Sequence, residues 1–322
     1  MMHAPGFWKT GGPLAAMLSP LGALYGLSVR LKAGWSRPFT ADVPVVCVGN
    51  LTAGGSGKTP IAIAVAQAMR GRGLNPFFLT RGHGGRERGP ALAYRAHSAA
   101  QMGDEALLLA RTAQTVVARD RAAGARLAQD KGATALVMDD GHQNFTLHKT
   151  LSLVVVDAES GFGNGRCIPA GPLREPVTQG LARADAVILV GDGSPDLHGY
   201  AGPVLRARLR VQTRTGSNDF SGKPVFAFAG IGRPEKFIAS MEDCGAVLMG
   251  SCFFPDHHPY SDDEIEQLRM IAGDAALVTT EKDFVRMTPE QRQGIKTLKV
   301  AAVFDDPAAL AALLDRIPAR TA

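Results

Sequence analysis

The chain has 322 residues, with 35 Lys and Arg against 30 Asp and Glu and a formal net charge of +5. Its 45% hydrophobic and 20% charged residues are the balance of a folded soluble protein, which excludes disorder over most of the length. The four cysteines, Cys47, Cys167, Cys244 and Cys252, form no CxxC pair, so a disulfide framework or zinc site is disfavoured and a reducing compartment fits.

No acidic residue precedes Asp42, and Lys9, Arg30, Lys32 and Arg37 supply nearly all of the excess charge. No basic stripe with interleaved aromatics follows, so the charge does not indicate a nucleic-acid surface. Residues 11–29 are uncharged, close to the roughly 20 apolar residues that span a bilayer. Pro13, Pro20, Gly22 and Gly26 keep this run only mildly hydrophobic, and a secretory signal fits poorly because no cleavage site is evident. The pattern predicts a helix lying in the membrane interface, with Leu18, Leu21, Leu24, Tyr25 and Trp35 among the inserted groups. A helix packed on the body of the protein is the plainer alternative.

From residue 43 the pattern is α/β. An unbroken apolar run at 43–48 reads as a buried parallel strand. A glycine-rich loop and a helix over about 59–72 follow. Further strands are predicted at 77–79, 115–118, 135–138, 151–156 and 186–190, with helices over 101–112 and 120–130. Strands alternating with helices imply a doubly wound sheet. Residues 202–213 alternate without a helical period and read as a β linker. A second α/β set is expected at 224–229, 246–253, 275–279 and 298–303, ending in a helix over 307–316. The division expected is an N-terminal segment over 1–40, a phosphate-loop lobe over 41–215 and a smaller lobe over 216–322.

Residues 49–60 read GNLTAGGSGKTP between a strand and a helix. That context suits a nucleotide phosphate: Thr52, Ala53, Gly54, Gly55, Ser56 and Gly57 offer backbone N–H groups, and the helix N-terminus adds positive potential. Lys58 is positioned to reach the β/γ-phosphates, and the Thr59 hydroxyl suits Mg²⁺. The strict phosphate-loop pattern is not met, since Thr52 stands at its first glycine. A strand ending in Asp139 and Asp140 supplies carboxylates for Mg²⁺ at the same sheet edge. Phosphoryl transfer to an alcohol needs a group for the hydroxyl proton. Asp104 in GDE and His257 and His258 in FPDHH are candidates, each with an ordinary alternative as a helix cap or a structural histidine.

Several segments now occur in a telling order: GNLTAGGSGKTP, LTRGHGG (79–85), GDE (103–105), DDGHQN (139–144), GNG (163–165), PAGPLREP (169–176), FPDHH (254–258) and TTEKD (279–283). Together they resemble the tetraacyldisaccharide 4'-kinases of the lipid A pathway, from about residue 15 to about 305. The resemblance implies an ATP- and Mg²⁺-dependent kinase with a P-loop NTPase-like lobe, a second α/β lobe, a β-stranded linker and a membrane-associated N-terminal helix at the cytoplasmic face of the inner membrane. Its substrate is expected to be an acylated glucosamine disaccharide 1-phosphate, phosphorylated on the 4'-hydroxyl to give lipid IVA. Asp104 falls on the family's catalytic aspartate and His257 on its partner. Asp139 and Asp140 fall on metal-site carboxylates, and Arg174 and Glu175 on positions near the reacting groups, Glu175 being a further metal candidate. Gln143, Asn144, Arg81 and, more weakly, Arg121 are substrate-binding candidates. Arg81 also suits an ATP phosphate or a carboxylate partner. His83 and Asn144 depart from the Tyr and His that many relatives carry, which bears on head-group contacts.

Two other classes are weighed against this. ATPases of metal insertion or protein targeting carry an extra loop lysine where this chain has Ala53, and 280–283 read TEKD rather than a guanine-specifying NKxD. A nucleotide-binding scaffold without catalysis would need neither Asp104 nor His257.

Overall fold

A computed structural model describes residues 5–212 and 220–317. The lobe junction expected near residue 215 lies outside the described residues. The N-terminal run forms a short helix α1 (Phe7–Thr10) and a long helix α2 (Pro13–Trp35). Only Ala15, Gly22 and Gly26 of α2 are buried. The two glycines let the helix lie directly on the 166–176 segment: a Cβ at Gly22 would stand 2.6 Å from the Cys167 carbonyl oxygen.

The first lobe is built on β1 (Val45–Gly49), β2 (Pro76–Thr80), β3 (Ala91–Ala93), β4 (Thr115–Val117), β5 (Ala135–Asp139), β6 (Leu151–Asp157), β7 (Ala186–Val190) and β8 (Val204–Val211). Every residue of β1, β2, β5, β6 and β7 is buried, which is why their sequences run apolar without alternation. Successive side chains serve opposite faces. Phe78 joins Val46, Val137 and the helix α3 (Lys58–Arg70) in one core, while Phe77 joins Val45, Leu136 and the helix α6 (Arg121–Asp130) in the other. The expected helix over 101–112 is broken at Gly103 into α4 (Ala99–Met102) and α5 (Asp104–Ala110). Gly103 takes φ +88°, and a Cβ there would stand 2.5 Å from the His83 carbonyl oxygen, so the break brings the LTRGHGG loop against Asp104. A one-turn helix α7 (Val177–Leu181) precedes β7.

The second lobe is a parallel sheet of β9 (Pro224–Ala229), β10 (Val247–Phe253), β11 (Ala276–Thr280) and β12 (Lys296–Leu298), in the order β10-β9-β11-β12. Helices α8 (Pro234–Asp243) and α9 (Asp262–Ala272) cover its two faces, through Phe237 and Met241 on one and Ile265 and Leu268 on the other. A single turn α10 (Glu281–Phe284) follows β11.

The run expected as one second-lobe strand at 298–303 divides. Leu298 ends β12, and β13 (Val300–Phe304) returns to the first sheet, antiparallel to β8. The helix α11 (Pro307–Leu314) follows it, because Phe304, Leu310, Leu313 and Leu314 bury against the α3 face of the first core. Among the described residues the first sheet thus has nine strands, in the order β13-β8-β7-β6-β1-β5-β2-β4-β3. β8 leaves and β13 returns, so the linker is two-stranded. β1 lies between β5 and β6, and the chain departs from it to both sides, which opens the crevice where doubly wound sheets bind ligands.

Candidate active site

The phosphate loop leaves β1 at that crevice. Asn50 is fully buried and its side-chain amide donates to the Thr52 carbonyl at 2.8 Å and the Ser56 hydroxyl at 3.0 Å, closing the loop on itself. From outside, Ala53 N–H donates to Pro172 O at 2.7 Å and Arg174 N–H to Leu51 O at 2.7 Å. The PAGPLREP segment therefore braces the loop, while Gly54 and Gly55 stay exposed. Gly57 takes the left-handed conformation that turns the chain into α3, a conformation glycine adopts without steric cost.

Asp139 ends β5 beside the first turn of α3. Its Oδ2 accepts from Thr59 Oγ1 at 3.2 Å, and its buried Oδ1 has no hydrogen-bond partner. Burial, with the carboxylate of Glu105 nearby, pushes Asp139 up to about 7. Asp140 accepts from Arg174 at 2.8 Å and lies 3.6 Å from Lys58 Nζ. Burial opposes its ionisation too, but Lys58 and Arg174 overcome this and hold it at about 2. Glu175 is buried and engaged by Arg183 and by Gln143, whose amide also donates to Asn50 O at 2.9 Å. Among the described residues no three His, Cys, Asp or Glu side chains gather as a metal cage. A Mg²⁺ shared with phosphates needs only one or two carboxylates. The orphaned Oδ1 of Asp139 beside the Thr59 hydroxyl fits that requirement, whereas the Glu175 carboxylate is already committed to Arg183 and Gln143.

Asp104, the first residue of α5, is buried and faces the second lobe. Its Oδ2 accepts from His257 Nδ1 at 2.8 Å. Burial raises its proton affinity, but the His257 hydrogen bond, Lys282 and Arg286 more than reverse this and hold the carboxyl well below its usual range. His257 follows β10 with φ +64°, and Asp140 has φ +54°. Such conformations are uncommon outside glycine and gather at functional sites. His258 turns away. It bonds Glu264 at 3.0 Å and stacks on Phe254, so the structural alternative holds for it.

The substrate candidates divide. Arg174 and Gln143 border the phosphate loop through the bonds above. Asn144 uses its carbonyl oxygen in its own turn, accepting from Thr146 N and Oγ1. Arg81 is exposed, whereas Arg121 is buried below it, donates to the Ala118 carbonyl and is lowered by burial to about 10. His83 stands edge-on to His257, with ring centroids 6.0 Å apart. Sequence reasoning missed Arg286, which reaches Asp104 from just beyond TTEKD, and Arg233, which reaches Asp157 at 2.7 Å. Its spacing of three residues after Asp283 is a signal from which Arg286 could have been found.

Comparison with known proteins follows this geometry. A family model described as tetraacyldisaccharide-1-P 4'-kinase matches residues 14–318. The chain is 48% identical to a tetraacyldisaccharide 4'-kinase of Paramagnetospirillum magneticum over 99% of this chain and 100% of that protein. It is 49% identical to one of Rhodospirillum centenum over 97% of this chain and 96% of that protein. Among solved structures it resembles LpxK of Aquifex aeolicus, crystallised with ATP, with a TM-score of 0.78 and 25% identity, covering 94% of this chain and 99% of that one. A match over almost the whole chain and near-half identity over full length, on a fold that gathers the same motifs at one crevice, mean that the chain belongs to the tetraacyldisaccharide-1-P 4'-kinase family.

Proposed function

We propose that this protein transfers the γ-phosphate of ATP to the 4'-hydroxyl of a tetraacyldisaccharide 1-phosphate, giving lipid IVA. The observation that carries this reading beyond nucleotide binding is the 2.8 Å bond between Asp104 of the phosphate-loop lobe and His257 of the other lobe. It provides a proton-handling pair that exists only when the lobes meet. The names of the relatives and the ATP in the Aquifex aeolicus crystal support the same donor and acceptor.

Phosphoryl transfer is mostly positioning and charge neutralisation. In this reading, the loop's backbone N–H groups other than that of Ala53, which is committed to Pro172, and the N-terminus of α3 cradle the phosphates. Lys58 neutralises charge on the transferred group. Asp139 and Thr59 would hold Mg²⁺, which supplies further neutralisation of the phosphate oxygens when bound. Arg174 holds Asp140 beside Lys58, whose ammonium lies 3.6 Å from that carboxylate. Asp104 and His257 orient the acceptor hydroxyl and take its proton.

The N-terminal helix supports a membrane-bound substrate. It has 23 residues, is apolar enough by length and composition to cross a membrane, and exposes Leu14, Met17, Leu21, Leu24, Leu31 and Trp35. The reading places it in the cytoplasmic face of the inner membrane, so that acyl chains remain in lipid while the sugar reaches the crevice. His83 beside His257 is then a head-group contact.

The test is a transfer assay with detergent-purified protein, Mg²⁺, γ-labelled ATP and tetraacyldisaccharide 1-phosphate. Label is expected in the lipid and absent with the Lys58→Ala protein. ATP hydrolysis without lipid labelling would reject the acceptor.

A further inference from the structure

Arg286 has a side chain only 4% exposed, and its guanidinium joins the two lobes. Within the second lobe its Nη1 donates to Asp283 Oδ1 at 2.8 Å and to the Gly230 carbonyl at 2.7 Å. Asp283 is itself immobilised. It accepts from Tyr260 Oη at 2.8 Å, Gly230 N–H at 2.9 Å and Thr280 Oγ1 at 2.6 Å. The guanidinium is planar, so fixing one edge fixes the other. That other edge faces the first lobe, where Nε and Nη2 donate to Asp104 Oδ2 at 2.9 and 2.6 Å.

This arrangement settles what Asp104 has left to offer. Oδ2 already accepts from Arg286 twice and from His257 Nδ1, and Oδ1 accepts from Glu105 N–H at 2.8 Å. An ionised carboxylate donates nothing, so Nδ1 of His257 carries the proton of that bond. The neutral imidazole then has its lone pair on Nε2. The nearest ionic partner of Nε2 is Asp256 Oδ2 at 3.8 Å, too long for a hydrogen bond, and the ring stands beside His83.

We propose that Arg286 is a positioning residue for phosphoryl transfer: holding Asp104 from the second lobe, it makes that carboxylate the fixed acceptor of His257 Nδ1–H and leaves His257 Nε2 to take the substrate's proton. The proposal rests on the kinase reading above. In the step, the 4'-oxygen bonds to the γ-phosphorus and the bond from that phosphorus to the β,γ-bridging oxygen breaks. The electron pair leaves with ADP, and the hydroxyl proton passes to Nε2. Arg286 acts only when the lobes meet, so nucleotide bound to the first lobe alone meets no oriented base.

The experiment is steady-state transfer from ATP to tetraacyldisaccharide 1-phosphate by wild type, R286Q, R286K, H257A and the R286Q/H257A double variant, each with a thermal melt. R286Q is expected to lower kcat about tenfold or more, with both KM values within about threefold. In the H257A background the same change should cost less than about twofold, because the two residues act as one unit. R286K keeps the charge but has a single nitrogen for two carboxylates. It should melt near wild type and still lose at least about fivefold in kcat, which carries the test if R286Q does not fold. A wild-type kcat in R286K, or an equal loss for R286Q with and without His257, overturns the proposal. A wild-type protein that labels no lipid rejects the kinase reading instead, so the two failures are distinct.

Discussion

Asp139 and Asp140 stand side by side at the end of β5, and burial opposes the charge on both. Asp140 has Lys58 and Arg174 against it and stays ionised, at about 2. Asp139 has burial and Glu105 acting together, with Lys58 in opposition, and rises to about 7. A residue's chemistry here depends on which neighbours the fold delivers, within one peptide unit. The same holds for Lys58. Its role is local, so Lys58→Ala should lower kcat by about 10²–10³, the cost of removing one preorganised donor from the developing charge. An unchanged kcat in single-turnover transfer would reject the phosphate-loop assignment. Asp104 lies where the first lobe meets His257 and Arg286 of the second. Asp104→Ala should lower kcat by about 10²–10⁴ while ATP affinity, measured by nucleotide titration, stays nearly intact. A collapse of ATP affinity would instead make Asp104 part of the nucleotide or metal site. The placement of Lys58, Thr59 and Asp139 was legible in the sequence because each sits within a turn of the loop or strand end that defines it. Arg286 was not, since its partner is 182 positions away.

At the scale of elements, the unbroken apolar runs of β1, β5, β6 and β7 were read correctly because strands covered on both faces cannot alternate. The helix expected over 101–112 failed at a single residue. Gly103 at φ +88° ends α4 and restarts the chain as α5, which makes Asp104 a first-turn residue facing the second lobe. Helix α2 shows a different logic. Its small residues, Ala15, Gly22 and Gly26, face the protein, and its large ones face outward: Leu21 is 55% exposed and Leu24 62%. A helix packed in the usual way buries its large side chains, so this inversion supports lipid on the outer face. Each leucine is worth about 1.5–3 kcal/mol when inserted. Leu21→Glu with Leu24→Glu should therefore lower partitioning into anionic vesicles by at least about a hundredfold. Pelleting of the double variant at the wild-type level would place the membrane contact elsewhere.

For the whole molecule, the two lobes are joined by chain and by charge. β8 and β13 carry the chain across, and Phe304 anchors the return in the first core. Among the described residues the charge crosses in two clusters. One gathers Arg286, His257 and Lys282 around Asp104, with Lys282 also 3.8 Å from Glu105. The other is Asp157 at the end of β6, which accepts from Arg233 at 2.7 Å and Lys236 at 2.9 Å of the second lobe. Burial opposes ionisation of Asp157, but Lys236, Ser160 and Arg233 hold it down to about 2. Its folded-state pKa lies below the unfolded value of about 3.9, so its contribution is present above about pH 4 and is lost as pH falls through about 2. The shift corresponds to about 2–3 kcal/mol. Urea denaturation of wild type and Asp157→Asn across this range should show a stability gap that closes between about pH 4 and 2. A gap independent of pH would mean that the bridge is not its source.

The sequence by itself determined the phosphate loop, the strand-end carboxylates, the α/β alternation and the family, because these are written in residues adjacent along the chain. The pairing of His257 with Asp104 was implied by the family resemblance, but only the tertiary structure decided that residues 300–304 return to the first sheet, that His258 turns to Glu264, and that Arg286 reaches Asp104. Those outcomes depend on which buried surfaces and charges meet across the crevice, and an apolar run or a lone arginine has the same local pattern whichever sheet or carboxylate it joins.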